Sequence, residues 1–154
     1  MENILHLKLD EISDGRKNEH DEYEYFMNDL IPQGPNQCTI SLYKIPPEKS
    51  AYPFHYHNMN EEAFYIISGE GMLRTQNEEK AVSAGDFLFF PANEKGAHKL
   101  VNTSKTEMLV YLDFDTNNKI DVTFYPDSKK IGIWGRGVNQ LYKEEDKVGY
   151  YEGE

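Results

Sequence analysis

The sequence predicts an all-β chain of the antiparallel sandwich or barrel class. Short runs of alternating apolar and polar residues recur, bounded by turn residues roughly every ten positions. Aromatic residues, 11 Tyr and 8 Phe among 154 residues, favour strands over helices. No apolar repeat of helical period extends far enough to compete with that reading.

Taken in order, Leu5, Leu7 and Leu9 alternate and predict a short strand. An acidic segment over 19–24 leads into a second strand, on which Tyr23, Tyr25 and Met27 share one face. Pro32, Gly34 and Pro35 mark a loop. Residues 38–45 (CTISLYKI) have a clear period of two and end at Pro46-Pro47. Residues 63–68 form a buried-type strand. Gly69-Glu70-Gly71 reads as a tight turn, which predicts that 72–76 returns as the second arm of a hairpin. Residues 81–83 follow a polar turn, and Gly85-Asp86 leads into Phe87-Leu88-Phe89-Phe90, stopped by Pro91. After a charged loop come strands at 97–101 and 108–114, two weaker ones at 122–125 and 131–134, and an acidic tail over 143–154.

The net charge of −11 argues against a nucleic-acid partner, since phosphate-backbone binding needs a basic footprint. Lys129, Lys130 and Arg136 are the one basic cluster and read as solvated surface. A lone cysteine, Cys38, excludes an intrachain disulfide and fits a reducing compartment. The first fifteen residues carry no apolar leader, and no run is long and apolar enough for a membrane helix. A soluble, cytoplasmic domain is expected.

Chemistry concentrates in H55-Y-H57-N-M-N-E-E62. In an extended chain residues two apart point to the same side, so His55 and His57 can share a metal. Glu62, which opens the next strand, is a natural third ligand, with Glu61 as its competitor. His98 arrives on a later strand and completes a set of three imidazoles and a carboxylate. Such a mixed nitrogen and oxygen set suits a divalent transition metal, Mn, Fe, Co, Ni, Cu or Zn. In octahedral geometry it leaves positions open for water, substrate or dioxygen. A structural zinc site would be closed and cysteine-rich, which one cysteine cannot supply. His6 and His20 read as ordinary surface histidines.

These residues resemble the cupin superfamily. H55-x-H57-x4-E62-x6-G69 matches its first motif, and the six-residue spacing to Gly69 selects Glu62 over Glu61. Gly85-x5-Pro91 and His98-x3-Asn102 match the second motif, although the segment between Pro91 and His98 is two residues longer than usual, with Asn93 in place of the usual glycine. Y125-P-D-S-K-K-I-G and the terminal V148-G-Y-Y-E-G-E further resemble small single-domain cupins.

The resemblance implies a double-stranded β-helix, a jelly-roll barrel with the metal inside. One cupin domain over 1–154 is expected, its barrel core about 38–115 and its extensions 1–37 and 116–154. It implies a metal-dependent enzyme on a small oxygenated substrate, of isomerase, dioxygenase or decarboxylase type, with a non-catalytic sugar-binding or sensor protein as the alternative. His55, His57, Glu62 and His98 are the expected metal ligands. Arg74 is either a cation facing the cavity, able to hold a carboxylate or phosphate, or a solvent-facing side chain. Phe64, on the Glu62 face of its strand, and Phe89 and Tyr111, as core or pocket wall, complete the substrate-binding candidates. Asn102 is expected to brace a turn or strand end. Pairing through edge strands predicts a homodimer.

Overall fold

The computed structural model describes residues 4–154. Thirteen strands run in the order β1 (Arg16–His20), β2 (Tyr23–Ile31), β3 (Cys38–Ile45), β4 (Tyr56–His57), β5 (Glu62–Ser68), β6 (Glu70–Arg74), β7 (Glu79–Ser83), β8 (Phe87–Phe90), β9 (Lys99–Asn102), β10 (Leu109–Thr116), β11 (Ile120–Tyr125), β12 (Lys130–Gly135) and β13 (Val138–Lys143). The only helical pieces among the described residues are 3-10 turns at Leu9–Glu11, Glu94–Gly96 and Glu144–Asp146.

A six-stranded antiparallel sheet, ordered β1-β2-β3-β10-β5-β8, forms one wall. Facing it are a three-stranded sheet, β7-β6-β9, and a four-stranded one, β13-β12-β11-β4. The last two meet at a bridge between His55 and His98, whose backbones exchange hydrogen bonds of 3.1 and 2.9 Å. This all-β arrangement is the jelly-roll barrel that the sequence predicts. The core lies between the walls, built on Tyr43, Ile45, Phe64, Ile66, Leu109 and Tyr111. On β5 the alternation is strict: Glu62, Phe64 and Ile66 are buried, and Tyr65 is exposed.

Three expectations are corrected. Residues 5–9 form no strand; they run without a ladder partner into the first 3-10 turn, and Leu5, Leu7 and Leu9 stay exposed. Alternation without a partner to hydrogen-bond leaves a segment irregular. Nor do β5 and β6 form a hairpin: β5 pairs with β10 and β8, and β6 with β7 and β9. Gly69 passes the chain from one wall to the other with φ +87°, and a Cβ there would strike the Met108 carbonyl oxygen. Third, Lys143, expected to open the acidic tail, ends β13, which extends the C-terminal sheet past the last expected strand at 131–134.

Both flanks join the sheets. Residues Tyr23–Ile31 pair with β3, and Ile120–Tyr125 pair with β4, beside His57.

Candidate metal centre

Three imidazoles enter the barrel with their outer nitrogens already fixed. His55 Nδ1 donates to the Pro53 carbonyl at 2.8 Å, and His98 Nδ1 to the Gly96 carbonyl at 2.8 Å. His57 Nδ1 meets Asp121 Oδ2 at 2.5 Å. A carbonyl can only accept, so the proton on His55 and His98 sits on Nδ1 and the Nε2 lone pair faces inward. This is how metal-binding histidines are oriented by a carbonyl or carboxylate behind them.

Glu62 meets them from β5. Its Oε2 lies 3.1 Å from His98 Nε2 and 3.8 Å from His57 Nε2. Both Glu62 Oε2 and His98 Nε2 are buried without a hydrogen-bond partner. A lone pair facing a carboxylate oxygen is unfavourable unless a cation or proton stands between them, and orphaned buried polar atoms are costly. Donor atoms of His55, Glu62 and His98 lie within 4.8 Å of one another, as do those of His57, Glu62 and Asp115. The two sets share Glu62, and the donors suit a divalent transition metal.

The electrostatics match that geometry. Burial, reinforced by the neighbouring His98, lowers His55 to about 3 and keeps it neutral. Burial also opposes charge on His57, but the Asp121 hydrogen bond wins and raises it to about 8. On Glu62 burial is outweighed by the surrounding histidines, and its carboxyl is held below the usual range. Burial pushes Asp113 well up and Asp115 to about 7, each assisted by the Glu62 charge.

Of the four expected ligands, His55, Glu62 and His98 fall in one set, and His57 joins Glu62 in the other, with Asp115 in place of the remaining histidines. Phe64 and Tyr111 stand beside them, ring centroids 4.7 Å apart, and Phe64 meets the His98 ring edge-on at 5.4 Å. Phe89 does not join them. It pairs across the ladder with Ala63, on the outer face, and is 55% exposed. Arg74 also stays outside: it holds Asp127 through two hydrogen bonds of 2.6 and 2.9 Å, its guanidinium 4.2 Å from the Phe54 ring centroid. The turn after β11 supplies that partner. Asn102 donates to the carbonyls of Ile45 and Glu107 and accepts from the Ser104 amide, bracing the end of β9.

A cavity of about 310 Å³ opens beside the histidines. Its walls include residues that sequence reading missed: Asp113 and Asp115 from β10, Thr123 and Tyr125 from β11, and Trp134 from β12. Trp134 Nε1 donates to Thr123 Oγ1 at 3.0 Å, and the Tyr43 and Tyr52 hydroxyls are bonded at 2.8 Å. A signal for Asp113 exists, since it shares the buried parity of Leu109 and Tyr111. Nothing local marks Asp121, whose partner His57 is 64 residues away.

Residues 41–115 match the family model described as a cupin domain. The solved structure of a proposed sugar phosphate isomerase from Acidithiobacillus ferrooxidans superposes with a TM-score of 0.80 at 28% identity, covering 96% of this chain and 97% of that one. A sugar phosphate isomerase of the cupin superfamily from Silicibacter pomeroyi gives 0.79 at 18% identity, over 92% and 94% of the two chains, which speaks to fold alone. An oxalate-binding protein of Thermotoga maritima is 32% identical over 65 residues, 42% of this chain and 51% of that one. The chain spans about half the length of the curated relatives it matches.

Proposed function

The chain belongs to the cupin superfamily, and from that premise we propose that it is a single-domain, metal-dependent enzyme acting on a small oxygenated substrate. The metal is held by His55, His57, Glu62 and His98. The observation that carries this is the convergence of inward-facing imidazole lone pairs on Glu62 Oε2, with Glu62 Oε2 and His98 Nε2 buried and unpartnered. A bound divalent metal supplies Lewis acidity toward a carbonyl or enediol oxygen. The protein's own part is to orient that oxygen and exclude water. Asp113 and Asp115, raised by burial, stand in the cavity wall as groups able to hold or move a proton at a substrate oxygen.

Elemental analysis after reconstitution with Mn, Fe, Ni and Zn tests the centre. We expect one equivalent per chain, lost in His57→Ala and Glu62→Ala; substoichiometric metal under every condition refutes it. The oxalate-binding relative favours a second reading, a binding protein without turnover. Ligand-induced stabilisation with no product would select that reading.

The same proposal includes a cytoplasmic homodimer. Tyr65, Phe87 and Phe89 are exposed on the outer face of β5 and β8, and β8 is the edge of its sheet. Light scattering that gives one chain's mass, 17.9 kDa, would exclude the dimer. Among the described residues no helix is long and apolar enough to cross a membrane.

A further inference from the structure

The walls of the cavity are hydroxyl- and carboxyl-rich and carry no lysine or arginine among the described residues. Its polar groups besides the proposed ligands are Asp113, Asp115, Thr123 and tyrosine hydroxyls, with Asp115 close to Glu62 and His57 and Trp134 alongside. No Lys or Arg is among the described residues that line it. Cations near the barrel have other partners: Arg74 with Asp127, Lys99 with Glu22 at 2.6 Å, and Lys130 over the Tyr125 ring, Nζ 5.4 Å from its centroid. Asp113 is 4% exposed, and its Oδ1 has no hydrogen-bond partner. A buried carboxyl oxygen left unpaired in a cavity wall is a vacancy for a ligand's hydrogen-bonding group.

We propose that this cavity binds an uncharged polyhydroxylated compound, a free sugar or polyol, whose hydroxyls satisfy Asp113 and Asp115 while its carbon skeleton packs against Tyr125 and Trp134. This deepens the metal-enzyme reading and rests on it. A phosphorylated sugar or a dicarboxylate can place one oxygen at the metal, but its second anionic group then faces carboxyls and tyrosines in a low-dielectric pocket without a counter-ion. Recognition of phosphate or carboxylate ordinarily uses Arg, Lys or a nest of backbone amides. A hydroxyl both donates and accepts, so it suits a carboxyl in either protonation state. Burial pushes Asp113 upward, which adds a donor to the wall. Aromatic side chains that carry a polar edge are suited to partly apolar, partly hydroxylated ligands. The name of the Acidithiobacillus neighbour points to sugar phosphates; in this chain the cavity chemistry favours the unphosphorylated form.

The chain's one tryptophan, Trp134, lies in the cavity wall and reports directly. Full-length, metal-reconstituted protein is titrated with D-xylose, D-fructose, D-fructose 6-phosphate and oxalate while its fluorescence is followed. A saturable change with at least one free sugar is expected, with the phosphate ester and oxalate bound at least ten-fold more weakly. Asp113→Val removes both hydrogen-bonding oxygens at similar volume and should weaken sugar binding at least ten-fold with metal content unchanged. Trp134→Phe, read as the sugar-dependent rise in Tm, should weaken it several-fold and serves if Asp113→Val fails to fold. Tighter binding of the ester or oxalate, no response to either sugar at tens of millimolar, or both variants binding like the parent overturns the proposal. One metal equivalent with the ester bound tightest removes only the substrate class. Absence of metal removes the reading on which it rests.

Discussion

Replacing Asp121 with asparagine separates a metal centre from an incidental cluster of histidines. Asp121 lies 64 residues from His57, is buried, and engages both oxygens. Oδ2 accepts from His57 Nδ1 at 2.5 Å, and Oδ1 accepts from the amides of Met59 at 2.8 Å and Asn60 at 3.2 Å. Asparagine has one acceptor and one donor head. If its oxygen faces the histidine, its NH2 meets two amide donors; if it turns, the NH2 opposes the imidazole N–H. Either way at least one charge-assisted hydrogen bond is lost, about 1.5–3 kcal/mol, or roughly 10- to 100-fold in metal affinity through the orientation of His57. A second effect runs the other way. Asp121 raises His57 to about 8, so below that pH a proton competes with metal, and asparagine relieves the competition. The orientation effect is therefore measured at about pH 8.5, where most His57 is already neutral. Competition with a chromophoric chelator gives both affinities, and circular dichroism checks the fold. In the parent, affinity should climb as pH rises from 6 to 8 and then flatten; in Asp121→Asn the climb should be smaller and the plateau 10- to 100-fold lower. Equal plateaus, within a factor of three, would show that His57 is not held for a metal.

Other consequences follow from the same contacts. Burial raises Asp113 well above its ordinary value of 3.8, so its contribution to stability is complete below about that pH and declines as pH rises toward the folded-state value. Asp113→Asn should therefore match the parent near pH 4 and be more stable at pH 8 in urea melts; a parent-like pH profile would contradict the assignment. Chelation should lower Tm and readdition of Zn or Mn should restore it, because the orphaned pair Glu62 and His98 loses its cation; an unchanged Tm after verified metal removal counts against the centre. Gly69→Ala forces a Cβ toward the Met108 carbonyl at positive φ and should cost more than about 1 kcal/mol, visible as a lower urea midpoint. Gly85→Ala, with equally positive φ but open space around it, should cost less.

The strands were legible where burial repeats locally. The expected bounds of β3 and β8 coincide with those observed, because Pro46 and Pro91 end alternating or aromatic runs. The four clustered donors were legible because period-two geometry puts His55 and His57 on one side and Glu62 on the buried face of β5. Partner choice was not legible. Gly69-Glu70-Gly71 has the composition of a hairpin turn, yet Gly69 hands the chain across to the opposite wall, a decision made by the Met108 backbone against which it packs. Phe64 and Phe89 look alike in sequence. Only the ladder to β5, which sets Phe89 opposite Ala63, puts one inside and the other outside. Arg74 could not be separated from a cavity cation until the turn carrying Asp127 was seen to hold it.

The C-terminal sheet bears most on what the barrel does. The family match ends at residue 115, whereas Asp121, Thr123, Tyr125 and Trp134 all follow it. Within the matched range lie the four proposed ligands and the Tyr43, Tyr52, Asp113 and Asp115 part of the cavity wall; beyond it lie the carboxylate behind His57 and Thr123, Tyr125 and Trp134. A relative that shares only the matched range therefore lends support to the metal frame and to the β10 side of the pocket, and none to the side built by Thr123, Tyr125 and Trp134. The Acidithiobacillus structure, aligned over 96% of this chain, includes the corresponding segment, but at 28% identity the wall residues need not be shared. The proposed metal ligands and the pocket thus overlap only in part: the ligands lie within residues 55–98, whereas the pocket is shared between β10 and a later sheet whose pairing with β4 is long-range. Thr123, Tyr125 and Trp134 can vary without moving His55, His57, Glu62 and His98, which is why cavity charge, read residue by residue, is a better guide to a ligand than the names of neighbours.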